Sequence, residues 1–201
     1  MAVEWSDVLK IALSSTILTS FATWGLNHWF VYRASLKRDA RYLAQRLAIL
    51  LERYSVDCAN IIADNELFNG FLGNSGRKHD KLPILGALPA DADWKAIAPD
   101  LVDRVMSMPI ELEFANRSIF YWWDVVGDPD SVQSETDDQA GRSGIRAWRL
   151  ASELRKRYGI PASSLTTETS DFVNTLNQNI EKAEALSREL ESRRTAHAAI
   201  R

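Results

Sequence analysis

From Ile11 to Tyr32 the chain passes through 22 consecutive positions without an Asp, Glu, Lys or Arg. Beyond this charge-free run the pattern becomes periodic. Leu43, Leu47, Leu50, Tyr54, Cys58 and Ile61 recur at steps of four and three, and Leu51 and Ile62 widen the stripe. That spacing predicts one apolar helix face. No Gly or Pro stands between Gly25 and Gly70. A single first helix from about Trp5 to about Phe68 is therefore expected, roughly 95 Å long. Residues 33–39 are where a break would fall.

Across 69–92 the period is lost. Gly70, Gly73, Gly76, Pro83, Gly86 and Pro89 interrupt it, and the segment reads as a loop. A loop this long is expected to be either functional or poorly ordered. Short helical pieces follow. Asp91 or Asp93 caps a turn through Trp94–Ala98, Pro99-Asp100 opens a helix over Leu101–Met108, and Pro109 opens another to about Val126. Leu112, Ala115, Ile119, Trp122 and Val126 share the inner face of that helix, and Phe114, Phe120, Tyr121 and Trp123 cover much of the rest. A helix apolar on most sides reads as a buried central one. A turn at Gly127–Ser131 leads into a helix to Tyr158, expected to be loosened at Gly141 and Gly144. Gly159-Ile160-Pro161 stops it. The terminal amphipathic helix, about 170–198, carries an apolar stripe of Phe172, Leu176, Ile180, Ala183, Leu186 and Leu190, with charge pairs four apart on its other face.

The charge-free run has the length of a membrane span. Its 22 residues make about 33 Å of helix against a hydrocarbon core of about 30 Å. Trp5 precedes it, and Trp24, Trp29, Phe30 and Tyr32 crowd its far end, as rings do at headgroup level. The residues expected to hold the anchor are Trp5, Ile11, Ile17, Phe21, Trp24, Trp29 and Tyr32. Ser14, Ser15, Thr16, Thr19, Ser20 and Thr23 dilute its apolarity, although hydroxyls can bond back to the preceding turn. Three other readings stay open beside the span. A cleaved leader needs a basic start, and Glu4 and Asp7 stand there. A surface-lying helix needs a charged face, which the run lacks. A buried helix of a soluble protein would accommodate the hydroxyls. Ala12, Thr16, Ser20 and Thr23 lie on one face and would let a second copy approach in the membrane.

Orientation follows from the flanks. Arg33, Lys37, Arg38 and Arg41 come after the run, joined by Arg46 and opposed by Asp39, and only Lys10 precedes it. Basic residues collect on the cytoplasmic side. The expectation is an inner (plasma) membrane protein with its N-terminus outside. Residues 1–34 would form a short tail and transmembrane anchor, and 35–201 a cytoplasmic domain. The fold class expected is all-α: a single N-terminal transmembrane helix continuing into an antiparallel helical bundle. The basic flank would lie against anionic headgroups of the lipid bilayer.

Composition changes this picture little. The 201 residues carry a net charge of −3, which argues against a general nucleic-acid binder. The single cysteine, Cys58, excludes an internal disulfide and fits a reducing compartment. Charge is unevenly spread. Asp91–Asp138 holds twelve acidic residues against Lys95, Arg104 and Arg117, while Arg142–Arg157 holds six basic residues against Glu153. Mutual pairing of the two segments is the simplest account; a patch for phosphate or lipid headgroups is the functional one. No metal-ligand spacing, nucleophile motif, nucleotide fingerprint or cofactor site is evident. Residues 70–81 resemble a phosphate-cradling loop only superficially, lacking its Gly-Lys-Ser/Thr end. Asp124, Asp128 and Asp130 read as turn and cap residues. The function expected is therefore a membrane-anchored interaction or scaffold protein without a catalytic site, able to form homo-oligomers. A toxin-like or pore-forming protein and an unrecognised enzyme are the alternatives.

Overall fold

The computed structural model describes residues 5–70, 78–166 and 171–198; at 5–32 and a few other positions it describes the backbone alone. The chain is all-α. Helix α1 spans Trp5–Gly70, α2 Pro99–Tyr121, α3 Pro129–Arg157 and α4 Phe172–Ala198, and no strand occurs among the described residues. Helix α1 runs 66 residues without a break, so the junction at 33–39 is continuous helix. With no Pro in this length and Gly25 its only interior Gly, nothing in its sequence interrupts the ladder of i→i−4 bonds.

The expected transmembrane span is not supported. Among the described residues no helix is long and apolar enough to cross a membrane. The physical reason lies in the six Ser and Thr residues between Ser14 and Thr23, together with Asn27 and His28. They offset the Ile, Leu and Phe of the same stretch.

Helix α3 is the centre of the body, and the other three pack around it. Its pairs fix the directions. Glu52 of α1 meets Arg155, and Asn65 meets Asp137. Asp100 of α2 meets Arg157, and Ser118 meets Glu135. Phe172 of α4 packs on Trp148, and Asn179 reaches Asp137. Thus α3 runs antiparallel to α1, α2 and α4, and those three run parallel to one another. The bundle is not the simple antiparallel one expected. The core joins Leu47, Leu51, Cys58 and Ile62 of α1 to Leu101, Val105 and Met108 of α2, Leu150 and Leu154 of α3 and Leu176 of α4, all buried. Burying each such Leu, Ile or Val stabilises by about 1.5–3 kcal/mol.

The parallel course of α1 and α2 explains the long irregular segment between them. A chain leaving α1 at its far end must travel the length of the body before α2 can start. The described part of that segment is an ordered strap. Backbone N–H groups of His79 and Leu82 donate to Asn65 and Asn116 (2.8 and 2.9 Å). Leu82 is buried, and Gly86 sits over Leu50. Asp91 then faces Arg46, and a 3₁₀ turn at Trp94–Ala96 leads into α2.

Three local expectations need correction. Pro109 opens no helix; it lies within α2, exposed, where it costs one backbone bond without blocking the buried face. Helix α3 is not loosened at Gly141 and Gly144, because both are close-approach points. A Cβ on Gly144 would stand 2.9 Å from the Cβ of Cys58 and 2.8 Å from Leu176. Finally, α2 is not a buried central helix. Leu112, Ala115 and Ile119 do face inward, but Phe114, Phe120, Tyr121, Trp123 and Val126 are exposed. A π-helical turn over Trp122–Val126 follows α2, and Gly127 closes it at φ 65°. Asp128 then caps α3 by accepting from the Ser131 N–H at 3.0 Å.

Candidate functional site

Where α1 enters the body, three elements converge on an open groove of about 700 Å³. Helix α1 contributes Leu36, Lys37, Ala40 and Arg41. The 3₁₀ turn contributes Asp93, Lys95 and Ala96. Arg157 and Tyr158 come from the end of α3. Each element is brought there by a local cause. Ala40 is buried, so its turn of α1 presses against the body and leaves Lys37 and Arg41 exposed beside the contact. Asp93 caps the 3₁₀ turn by accepting from the Lys95 N–H at 3.1 Å, which sets Lys95 on the rim. Helix α3 ends where its sequence says, at Tyr158 and Gly159 (φ 62°), with the Ile160 N–H donating to the Arg155 carbonyl at 2.9 Å.

The groove is cationic. Lys37, Arg41 and Lys95 have no ion-pair partner among the described residues. Arg157 is held by Asp100 at 2.6 Å, and the guanidinium keeps that carboxyl below its ordinary range. Behind the rim, Arg155 makes a two-pronged contact to Glu52 at 2.5 and 2.9 Å, and Glu52 is 4% exposed. That hydrogen-bonded pair raises the Arg155 pKa further above its ordinary value. It clamps the last turn of α3 to α1. Tyr158 adds a second clamp, its hydroxyl accepting from the Ala98 N–H at 2.7 Å. The groove thus has three cations unpaired among the described residues, the Asp100-held Arg157 and Asp93 around a floor containing Leu36, Ala40 and Ala96. Such a surface suits phosphate oxygens, which guanidinium and ammonium groups bind as charge-assisted acceptors.

The sequence-predicted anchor residues divide sharply. Trp5, Ile11, Ile17, Phe21, Trp24, Trp29 and Tyr32 fall on the stretch of α1 whose side chains lie outside the described residues. Arg33, Lys37, Arg38 and Arg41 are all exposed on α1. Lys37 and Arg41, four apart, line the groove. Sequence reasoning missed Lys95 and Arg157 as their partners, because one was counted within an acidic segment and the other as a helix-end charge. The strap was the available signal. Its length allows the chain to return to the start of the body.

Elsewhere many of the titratable groups are paired. Arg146–Glu111, Arg104–Glu153 (2.5 Å) and Arg157–Asp100 tie α2 to α3, which is the mutual pairing expected from the charge blocks. Burial pushes the Cys58 thiol up to about 12, so it is protonated at neutral pH and is no nucleophile. At the opposite end, Asn65 donates to Asp137 at 2.6 Å, and His79 faces Asp64 at 3.1 Å. Burial raises Asp137 to about 6. Among the described residues no group of three or more His, Cys, Asp or Glu could hold a metal ion. Residues 71–77 of the glycine-rich segment lie outside the described residues. Comparison with protein-family models, with curated proteins and with solved structures finds no match for this chain.

Proposed function

We propose that the protein is a membrane-attached helical scaffold. The charge-free stretch of α1 enters the bilayer, and the basic end of the body rests on anionic headgroups at the cytoplasmic face. The observation that carries this reading is the groove: Lys37, Arg41, Lys95 and Arg157, from three elements, surround the point where α1 leaves the body. Each basic residue near an anionic surface contributes about 1 kcal/mol of attraction. Lys37, Arg41 and Lys95, without ion-pair partners among the described residues, together supply holding power that the hydroxyl-rich stretch of α1 lacks by itself. Ala12, Thr16, Ser20 and Thr23 recur on one face of that stretch, a small-residue spacing that favours homo-oligomers within the membrane. The body contributes no reacting groups in this reading; it presents surfaces.

Cell fractionation of the tagged full chain tests the proposal, with topology reporters at both ends. The chain is expected in the membrane pellet after alkaline carbonate washing, with the C-terminal reporter active in the cytoplasm. Recovery in the supernatant before the wash would overturn it, and so would a C-terminal reporter active outside.

A further inference from the structure

Helix α2 has two apolar stripes on opposite sides. Leu101, Val105, Met108, Leu112, Ala115 and Ile119 face the core. Met106, Ile110, Phe114 and Tyr121 lie on the outward side, at steps of four, four and seven, and are 40%, 59%, 65% and 57% exposed. At 100° per residue these four fall directly opposite the buried stripe. On the π turn Trp123 is 55% exposed but lines a different groove with Phe120, Lys81 and Ile84, while Trp122 packs on the core. Arg117 shares that side, its guanidinium over the Phe114 ring at 5.6 Å and paired with Glu113 at 2.6 Å; around it the large exposed apolar residues mark a contact surface.

Charge identifies the occupant. Of the seven acidic residues between Pro99 and Asp130, Asp100, Glu111, Glu113 and Asp130 are paired with Arg157, Arg146, Arg117 and Lys78. Asp103 and Asp124 are exposed near the two ends of the ridge without an ion-pair partner among the described residues. An anionic bilayer would be repelled. A second copy meeting this ridge across a two-fold axis would set acid against acid. We propose that the outward ridge of α2 docks a cationic amphipathic helix of another protein. Its apolar stripe covers Ile110, Phe114 and Tyr121, and its Lys and Arg residues meet Asp103 and Asp124. This names the kind of partner the scaffold presents to the cytoplasm, and it rests on the scaffold reading.

The test uses the full chain in phosphatidylcholine nanodiscs, or in plain buffer if the membrane attachment fails, so the two failures are distinguishable. The probe is a fluorescent Leu/Lys amphipathic peptide of about eighteen residues, long enough to lie along about 27 Å of α2; a Leu/Glu peptide of equal length is the control. The expected result is saturable binding of the Leu/Lys peptide beyond that of empty discs. Phe114→Ser with Tyr121→Ser, which leaves the charge unchanged at exposed positions, weakens it about tenfold or more. The Leu/Glu peptide does not bind. The proposal is overturned if the wild type binds no more peptide than empty discs, if the double variant binds as well as the wild type, or if both peptides bind alike. It is equally overturned if the double variant dissociates a dimer of the wild type, which would assign the ridge to a second copy.

Discussion

The body has two ends that differ in chemistry, although the same helices build both. At one, Lys37, Arg41, Lys95 and Arg157 surround a groove whose floor is mostly small. At the other, Phe114, Phe120, Tyr121 and Trp123 stand exposed, with Arg117 over Phe114 and with Asp80 and Lys81 beside Phe120 and Trp123. Helix α2 joins them, 23 residues or roughly 34 Å long. The first end is fastened by the buried Arg155–Glu52 pair, the Tyr158 hydroxyl and the Arg157–Asp100 pair. The second rests on a polar network around Asn65 and Asp137. The contrast teaches that charge is placed here by contact with neighbours. Cations with acidic partners clamp helices together, and three cations without them among the described residues, Lys37, Arg41 and Lys95, line one groove.

Breaking the clamp is expected to have the largest effect. Glu52→Ala leaves the Arg155 guanidinium, 15% exposed, facing an empty site. Loss of one partner from a buried pair costs about 3–5 kcal/mol. Thermal unfolding should show it as a large fall in midpoint, with the groove end becoming protease-sensitive first. Next in size is the neutralisation of the groove. Lys37→Gln, Arg41→Gln and Lys95→Gln together remove about 3 kcal/mol of lipid attraction, roughly a hundredfold in partitioning. Flotation with phosphatidylglycerol vesicles should report that loss, whereas Asp103→Asn with Asp124→Asn should not lower partitioning. These three residues have no ion-pair partner among the described residues, so the melting temperature should barely move.

Between the ends, Gly144→Ala tests the close approach of α3 to α1. A methyl group there meets the Cβ of Cys58 at 2.9 Å, so two backbones must part. Overpacking of this kind costs about 1–3 kcal/mol. The smallest effect is expected at Asp137, and its sign is the reverse of an ordinary ion pair. Its folded pKa of about 6 lies above the unfolded value of about 3.9. The folded state therefore holds the proton more tightly between these values. Stability contributed at this site is full below about pH 4 and lost as the pH rises through about 6. Asp137→Asn keeps an acceptor for Asn65 and removes the buried charge. It should raise stability at pH 7 by something on the order of 1 kcal/mol and flatten the dependence between pH 4 and 6. Chemical denaturation at both pH values checks this.

Much of the helical framework was legible in the sequence. The stripe from Leu43 to Ile62 and the absence of Gly and Pro between Gly25 and Gly70 were enough to place α1 but left its passage through 33–39 open, and the structure shows continuous helix there. Gly159 and Pro161 marked the end of α3, and Asp128 read as a turn and cap residue at its start. Local physics fails where a residue's meaning depends on what lies opposite. Gly141 and Gly144 read as weak points in isolation, yet they admit Asn179, Ile180, Cys58 and Leu176 at close range. Pro109 reads as a helix start, but tertiary packing carries α2 through it. Phe114 and Tyr121 read as core because hydrophobicity alone does not say which of two apolar stripes is covered. The groove was half legible. Lys37 and Arg41 were singled out as a basic flank, but Lys95 and Arg157 join them only because α1 and α2 run parallel, a fact of topology that no local pattern encodes. The hydropathy of 11–32 shows the same limit from the other side: length and lack of charge suggested a span, and the hydroxyl content brings it below the apolarity a span needs.

The most direct test of the account places a reporter at each end of the body. Cys58 is buried, so Lys95→Cys and Trp123→Cys can each be labelled singly with an environment-sensitive fluorophore. The full chain is then mixed with vesicles containing phosphatidylglycerol and a lipid bearing a nitroxide on its headgroup. The account expects strong quenching of the label at 95 and little at 123. Equal quenching at the two positions, or none at 95, would contradict the assignment of the basic end to the membrane.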